Sequence, residues 1–247
     1  MARTKPTARA RRRTLPVDVR TILRRLEKMY GRTGRVSRLG PLEELVCCIL
    51  SQHTTDATSF PAFDLLRETY PEWQDVVDAG PDELAQVVRK AGLANQKARN
   101  IIRSLEEIKR RTGGYSIDHL RDVPMKEARE WLMGLPGVGP KTASIVLCFS
   151  FDMGAIPVDT HVYRVSRRLG VIPESADENK AHDLLLEIVE PEHAFRYHTA
   201  LIQHGRRLCK APVPLCGECP LRDVCPWFKT VGPERARTRL RRNRTAK

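Results

Sequence analysis

A chain of 247 residues, 41% of them hydrophobic, is long enough to form one large domain or two compact lobes. No apolar run reaches the ~18 residues that a membrane span needs, and the N-terminus lacks the apolar segment of a secretory signal. We therefore expect neither a membrane protein nor a secreted one. The formal net charge of +13 favours a polyanionic partner.

Most of this charge lies at the two ends of the chain. Residues 1–13 contain six basic residues and no acidic one, and residues 234–247 contain seven basic residues and one acidic residue. The sequence between them is nearly neutral. We predict two disordered basic segments, residues 1–13 and 230–247, that bind polyanions without sequence preference.

Between these ends, hydrophobic residues recur at helical spacing, and few segments alternate with a period of two. Gly and Pro residues separate the helical segments. The patterns predict helices over residues 15–30, 41–50, 58–70, 81–91, 95–111, 126–133, 143–151, 160–169, 179–189 and 191–207. The helix over 143–151 is apolar almost all round, as in a helix buried on every face. The sequence therefore predicts an all-α fold.

A glycine-rich turn at residues 135–143, Leu-Pro-Gly-Val-Gly-Pro-Lys-Thr-Ala, separates two of these helices. Gly137 and Gly139 allow positive φ values in a tight hairpin, and Pro140 suits the first turn of the next helix. Such a helix–hairpin–helix directs the amides of Gly137, Val138 and Gly139 toward one point, which favours a nucleic-acid phosphate. A plain turn in a helical bundle is the alternative.

Lys141 lies at the N-terminal end of the apolar helix, where the helix dipole disfavours a cation. This position and partial removal from water favour the neutral amine, which is the nucleophilic form. A solvated surface lysine is the alternative on the local sequence alone. Asp159 follows 18 positions later, within Pro-Val-Asp-Thr-His at residues 157–161.

The two motifs at residues 135–143 and 158–161 together resemble the helix–hairpin–helix, Gly-Pro-Asp superfamily of DNA glycosylases, and especially its endonuclease III family. The resemblance covers residues 35–228, which is most of the chain. It implies that Lys141 attacks C1′ of the damaged nucleotide and that Asp159 is its partner carboxylate. Branches that only excise the base lack this lysine, so Lys141 favours the bifunctional branch.

The resemblance implies a glycosylase and abasic-site lyase of base excision repair, acting on oxidised pyrimidines through a lysine Schiff base and β-elimination. Its partner would be double-stranded DNA with a damaged base or an abasic site, and the protein would be a monomer. We expect it in the cytoplasm at a bacterial nucleoid, or in the nucleus or mitochondria of a eukaryote. The alternatives are a monofunctional mismatch or damaged-base glycosylase and a non-catalytic DNA-binding protein.

The family also implies an arrangement of two helical lobes that flank a DNA-binding cleft. One is a six-helix lobe over residues 35–153. The other is an iron–sulfur cluster lobe formed by residues 14–34 and 154–229. Lys141 and Asp159 would lie on opposite sides of the cleft.

The sequence Ser-Gln-His-Thr-Thr-Asp at residues 51–56 resembles a family loop, Ser-Ala-Gln-Ala-Thr-Asp, whose glutamine fills space near the orphaned base. In this chain His53 occupies the position of that glutamine, and Gln52 precedes it. We predict that both residues contact DNA, with His53 stacking or hydrogen-bonding in the gap. An ordinary histidine at a helix end is the alternative.

A second loop, Gly-Leu-Ala-Asn-Gln-Lys-Ala at residues 92–98, resembles the family loop whose apolar residue wedges into the duplex. An enzyme that acts on a base must flip it from the stack, and a wedge offsets part of that cost. We predict that Leu93 is the wedge. The alternative is an apolar contact that caps a helix.

Cys209, Cys216, Cys219 and Cys225 lie within 17 residues in a proline-rich stretch. Four thiols this close imply a metal site or disulfides, and nothing indicates export to an oxidising compartment. Zinc and an iron–sulfur cluster both accept four thiolates, so the residues alone leave the metal open. Their spacing resembles that of the endonuclease III family, which implies a [4Fe–4S] cluster.

Overall fold

The computed structural model describes residues 15–34 and 39–230. Every regular element within these ranges is helical, which confirms the predicted all-α class for this part of the chain. The predicted basic segments lie outside the described residues, except that Thr230 ends the last helix. The α-helices are α1 (Val19–Tyr30), α2 (Pro41–Ser51), α3 (Asp56–Thr69), α4 (Trp73–Val87), α5 (Ala94–Thr112), α6 (Met125–Met133), α7 (Pro140–Ser150), α8 (Thr160–Arg168), α9 (Glu178–Ile188), α10 (Ala194–Arg207) and α11 (Pro226–Thr230).

The prediction for residues 81–91 is wrong at both ends. Helix α4 begins at Trp73, and a kink at Gly80, with φ 74° and ψ 170°, divides it. Glycine adopts this conformation without a Cβ clash, and Pro81 then starts the second helical segment, where its missing N–H is tolerated. After Val87 the chain continues as a short 3₁₀ turn, Arg89–Ala91. None of the helices described is long and apolar enough to cross a bilayer.

Buried hydrophobic residues form two separate clusters. The first lies among α2 to α7 and includes Leu45, Leu66 and Ile101. The second joins α1 to α8, α9, α10 and the cysteine-rich segment, and includes Ile22 and Tyr197. The clusters divide within the segment between α7 and α8. The lobe boundaries inferred from the family stay a prediction.

Helix α7 connects the two clusters. It packs against α2 and α6 of the first cluster and also contacts α9 and α10 of the second. Six of its eleven residues are buried, among them Val146 and Leu147. Burial on several faces explains its apolar sequence, and it fixes the N-terminal end of α7 relative to both clusters.

Candidate active site and cysteine centre

Only one of the two hairpin glycines has the left-handed backbone conformation. Gly137 has φ 76°, and a Cβ added there would lie 2.5 Å from Nδ2 of Asn100. Gly139 has φ −98° and ψ 180°, which any residue adopts, and a Cβ there would meet nothing within 4 Å. The fold therefore requires glycine at position 137. Glycine at position 139 leaves open space on the outside of the hairpin, where a ligand can approach the backbone closely.

The N-terminus of α7 directly follows this hairpin. Gly139 is its N-cap residue and provides no side-chain hydrogen bond, while Pro140 occupies the first helical position. The first amides of a helix have no partner within it, so those of Lys141 and Thr142 are available to an anion. Ser104 stabilises the hairpin from behind, because its hydroxyl donates to the Pro136 carbonyl at 2.8 Å.

Lys141 is exposed in the first turn of α7. The removal from water expected from the sequence is therefore absent in the DNA-free chain, whereas the expected position at a helix N-terminus is present. The lysine charge opposes protonation of two buried histidines, His182 on α9 and His198 on α10. Burial is the main cause that lowers the pKa of both histidines, and Lys141 lowers each further. Lys141 thus lies near the point where α7, α9 and α10 meet.

Asp159 is the N-cap residue of α8, and it is half-buried. Its Oδ1 accepts hydrogen bonds from the amides of His161 at 2.9 Å and Val162 at 2.7 Å. Both hydrogen bonds end on the same oxygen, and Oδ2 has no hydrogen-bond partner among the described residues. The carboxylate is therefore held by one oxygen and presents the other.

His198 is a buried residue on which the charges of both Lys141 and Asp159 act, and the sequence did not predict this role. Its Nδ1 lies 2.8 Å from the Pro157 carbonyl, which only accepts, so Nδ1 carries the proton. Burial lowers the pKa of this ring, the charge of Asp159 raises it, and the charge of Lys141 lowers it. The buried ring of His198 therefore responds to the charges of both predicted catalytic residues. A single histidine in an amphipathic helix gives no sequence signal for this role.

The loop after α2 contains both residues that were predicted to contact an orphaned base. Gln52 is half-buried, and its Nε2 donates to the Gly137 carbonyl at 2.8 Å and to Thr142 Oγ1 at 3.4 Å. His53 is exposed and has φ 55°. The amide of Gln52 therefore binds the hairpin, and only the His53 side chain extends into solvent.

Leu93 is 55% exposed, the most exposed of the large hydrophobic residues described. It follows Gly92, has φ 48° and ψ 36°, and forms the N-cap of α5. Left-handed backbone is strained for leucine. An exposed apolar side chain on a strained backbone is unfavourable in the free protein, and this combination is typical of a contact residue rather than of a cap contact.

The four cysteines line one cavity, whose walls also include Arg168, His204 and Trp227. Cys209 and Cys219 each have a nitrogen donor near sulfur: Arg168 Nη1 donates to Cys209 Sγ at 3.3 Å, and His204 Nε2 lies 3.5 Å from Cys219 Sγ. Such donors stabilise a thiolate or a metal-bound sulfur. Burial raises the pKa of Cys219 to about 12, so a bound metal has to displace its proton.

Within the described residues, which include all four cysteines, no three of the sulfurs lie within 4.8 Å of one another. Four thiols around one cavity suit a metal centre, and zinc and an iron–sulfur cluster both accept four thiolates.

Comparisons with known proteins identify the family of this chain. Residues 46–191 match the family described as HhH-GPD superfamily base excision DNA repair protein. The chain is 31% identical over 224 residues to endonuclease III of Thermotoga maritima, with 91% of this chain and 100% of that protein covered. It is similar to a structure of a trapped endonuclease III–DNA covalent intermediate, an estranged-adenine complex, with a TM-score of 0.73, 34% identity, and 85% and 95% of the two chains covered.

A third similarity is to the structure of a thermostable thymine-DNA glycosylase, with a TM-score of 0.70, 25% identity, and 85% and 94% of the two chains covered. The family match spans more than half of the chain and contains both Lys141 and Asp159. The similarity to endonuclease III extends over most of the remainder. The chain therefore belongs to the HhH-GPD superfamily of base excision DNA repair proteins, as an endonuclease III-like DNA glycosylase.

Proposed function

We propose that this protein is a bifunctional DNA glycosylase and abasic-site lyase that removes oxidised pyrimidines, such as thymine glycol, from duplex DNA. The observation that supports it is that the charges of Lys141 and Asp159 both act on the buried ring of His198. A protein that only binds DNA needs neither an exposed lysine at the helix N-terminus nor a carboxylate beside it. The similarity to an endonuclease III trapped as a covalent intermediate with DNA supports a covalent mechanism.

In this mechanism the neutral amine of Lys141 attacks C1′. The bond between C1′ and the base breaks, and its electron pair leaves on the base. The base leaves after taking up a proton. Opening of the sugar ring breaks the C1′–O4′ bond and leaves an imine between Lys141 and C1′. Loss of a proton from C2′ then expels the 3′ phosphate by β-elimination, which cuts the strand.

Asp159 supplies negative charge as positive charge develops on the sugar, and its second oxygen is placed to accept or return a proton. The hydrogen bonds that two backbone amides donate to Oδ1 hold the carboxylate in place, so it needs little reorganisation during the reaction.

DNA phosphates dock on the hairpin, where the uncapped amides at the start of α7 are available. Leu93 enters the base stack while the damaged nucleotide turns out of it, and His53 lies beside the orphaned base. Titration with abasic and undamaged duplexes should show that Leu93→Ala weakens binding to the abasic duplex more than to the undamaged one.

Cys209, Cys216, Cys219 and Cys225 line one cavity and would hold a [4Fe–4S] cluster, as their spacing in the endonuclease III-like sequence implies. When bound, the cluster supplies metal–thiolate bonds that cross-link a proline-rich segment with little core of its own. This ordered segment then presents exposed Lys210 and Arg222 to phosphate. Elemental analysis of the purified protein should find iron with acid-labile sulfide; stoichiometric zinc would contradict the assignment.

Borohydride trapping on a duplex with one abasic site tests the proposed chemistry directly. Wild type should form a covalent complex, and Lys141→Ala should form none. Folding should be preserved, because the side chain is exposed in the first helical turn and alanine suits a helix. Lys28→Ala, which changes an exposed lysine on α1, is the matched control and should trap like wild type.

Each other outcome contradicts a defined part of the proposal. Trapping and strand cleavage by Lys141→Ala would exclude this lysine as the nucleophile. Absence of a covalent complex from wild type, with base release from damaged or mismatched duplexes, would indicate a monofunctional glycosylase. Absence of both activities would indicate a DNA-binding protein without catalysis.

A further inference from the structure

Lys97, in the first turn of α5, is only 2% exposed. Its Nζ donates to the Leu50 carbonyl at 2.7 Å and to the Ala91 carbonyl at 2.7 Å. Its backbone N–H donates to the Leu93 carbonyl at 3.0 Å. One residue therefore binds the chain immediately before and immediately after Gly92, and anchors both points to the last turn of α2.

Burying an ammonium group between α5 and α2 has a large desolvation cost. Burial lowers the pKa of Lys97, which shows that the site disfavours its charge. The hydrogen bonds from Lys97 Nζ to the two carbonyl oxygens offset that cost. The Leu50 carbonyl also lies at a helix C-terminus, where a cation is favourable. A methionine would fill similar space without a desolvation cost, but it would leave both carbonyls without a donor. The contribution specific to lysine is therefore the connection between two segments.

Gln52 makes a second connection from the same end of α2. As C-cap residue of α2, it donates from Nε2 to the Gly137 carbonyl at the tip of the hairpin and to Thr142 Oγ1 in α7. The loop of the endonuclease III family has alanine at this position. In this chain the glutamine side chain is bound to the hairpin, so the contact to the orphaned base depends on the neighbouring His53.

We propose that the C-terminal end of α2 sets the relative positions of three DNA-contacting segments, with Lys97 and Gln52 as its two positioning residues. The three segments are the hairpin at residues 137–139, the wedge loop at residues 92–93 and His53 itself. This inference rests on the proposed function, since it assumes that these segments contact DNA. Held as one unit, they can probe a base pair together without a separate ordering step for each segment.

Hydrogen exchange on the DNA-free protein tests the connections without relying on activity. Lys97→Met should raise amide exchange at residues 92–94, and Gln52→Glu, which cannot donate to a carbonyl, should raise it at residues 138–139. Lys28→Met and Gln86→Glu change exposed residues of the same types and are the matched controls. Exchange that rises uniformly, or in neither segment, would overturn the proposed positioning roles.

A duplex with 2-aminopurine opposite an abasic site tests the consequence for DNA. Lys97→Met and Gln52→Glu should each reduce the fluorescence response and weaken the binding of this duplex by about tenfold, the scale of one lost buried hydrogen bond. Lys97 lies outside the proposed DNA contacts, so Lys97→Met should change the binding of undamaged duplex less than threefold. Control variants should match wild type, and an unchanged fluorescence response in both positioning variants would overturn the proposal.

A double-mutant cycle separates positioning from general stability. If Lys97 acts through the wedge loop, Lys97→Met should cost little further affinity in a Leu93→Ala background. Effects that multiply would show that Lys97 supports only the fold. Should Lys97→Met fail to fold, Gln52→Glu in a Gly139→Ala background gives the same test for the hairpin. If wild type does not distinguish damaged from undamaged DNA, the proposed function is wrong. The hydrogen-exchange experiment still tests whether Lys97 and Gln52 hold the wedge loop and the hairpin in place.

Discussion

Asp159 combines a structural and a chemical role in one side chain. Its Oδ1 caps α8 through the two amides, and its charge acts on the buried ring of His198. These roles separate experimentally because asparagine is nearly as good an N-cap residue as aspartate. The residue therefore allows a substitution that removes the charge and keeps the cap.

We expect Asp159→Asn to slow base release by about 10²- to 10⁴-fold, the usual contribution of a positioned acid–base group. Its free energy of unfolding should stay close to that of wild type. Asp159→Ala should slow base release similarly and also lose about 1 kcal/mol of stability, because the cap is lost. Single-turnover base release and urea denaturation measure the two effects. Equal stability of both variants would contradict the capping role.

At the scale of elements, the hairpin uses its two glycines for different purposes. Gly137 has a positive φ and lies against Asn100, so the fold itself excludes a side chain there. Gly139 has an extended backbone and open space around its Cα. The fold does not need glycine at position 139, whereas close approach of a phosphate does.

Gly137→Ala should therefore lower the free energy of unfolding by about 1–3 kcal/mol, through backbone strain and the contact with Asn100. Gly139→Ala should change stability by less than about 1 kcal/mol, the scale of an N-cap effect. Both variants should bind duplex DNA more weakly. Thermal unfolding and fluorescence anisotropy with a labelled duplex distinguish them. Normal DNA affinity in Gly139→Ala would argue against phosphate binding at the hairpin.

The packing of α9 gives the protein a predicted sensitivity to acid. His182 is buried in this helix, and its Nδ1 has no hydrogen-bond partner among the described residues. Burial, with a smaller effect from the charge of Arg129, lowers the pKa of His182 to about 4. The unfolded state therefore binds more protons between the ordinary histidine pKa of about 6.5 and pH 4.

Stability should accordingly fall as the pH decreases from about 6.5 to about 4, by up to about 3 kcal/mol from this one group. His182→Leu removes the contribution, so its unfolding free energy should depend less steeply on pH in this window. Urea denaturation of both proteins at several pH values measures the difference. Parallel pH profiles would contradict the prediction.

At the scale of the whole molecule, charge and fold are separated along the chain. Nearly all of the net charge of +13 lies in residues 1–13 and 234–247, outside the described residues. The folded part places its candidate DNA contacts at helix ends and loops. Non-specific affinity and damage recognition therefore depend on different parts of the chain.

Removal of both basic ends should weaken binding to undamaged duplex and reduce the dependence of affinity on salt, because fewer counterions are released. The rate of base release at saturating protein should not change. Fluorescence anisotropy at several salt concentrations, together with single-turnover kinetics, measures both quantities. An unchanged salt dependence in the truncated protein would contradict a role of the basic ends in DNA binding.

The helical class and most of the helices could be predicted from the sequence, because hydrophobic periodicity and Gly or Pro breaks act over a few residues. Lys141, Asp159 and the four cysteines were predicted as site residues because their motifs resemble those of the endonuclease III family. The helix prediction failed at residues 73–79, where Gly80 and Pro81 indicate a break although helix lies on both sides of the kink.

The contacts of these residues could be found only from the packing of helices that are distant in the chain. Lys97 and Gln52 bind carbonyls 47 and 85 positions away, and no local pattern encodes which carbonyl lies within reach. No local pattern predicts that the charges of two other helices act on the ring of His198. No local pattern predicts the distances between the cysteine sulfurs either. A sequence motif specifies which groups are present, whereas packing of distant helices specifies distances, burial and charge, and these determine what the groups can do.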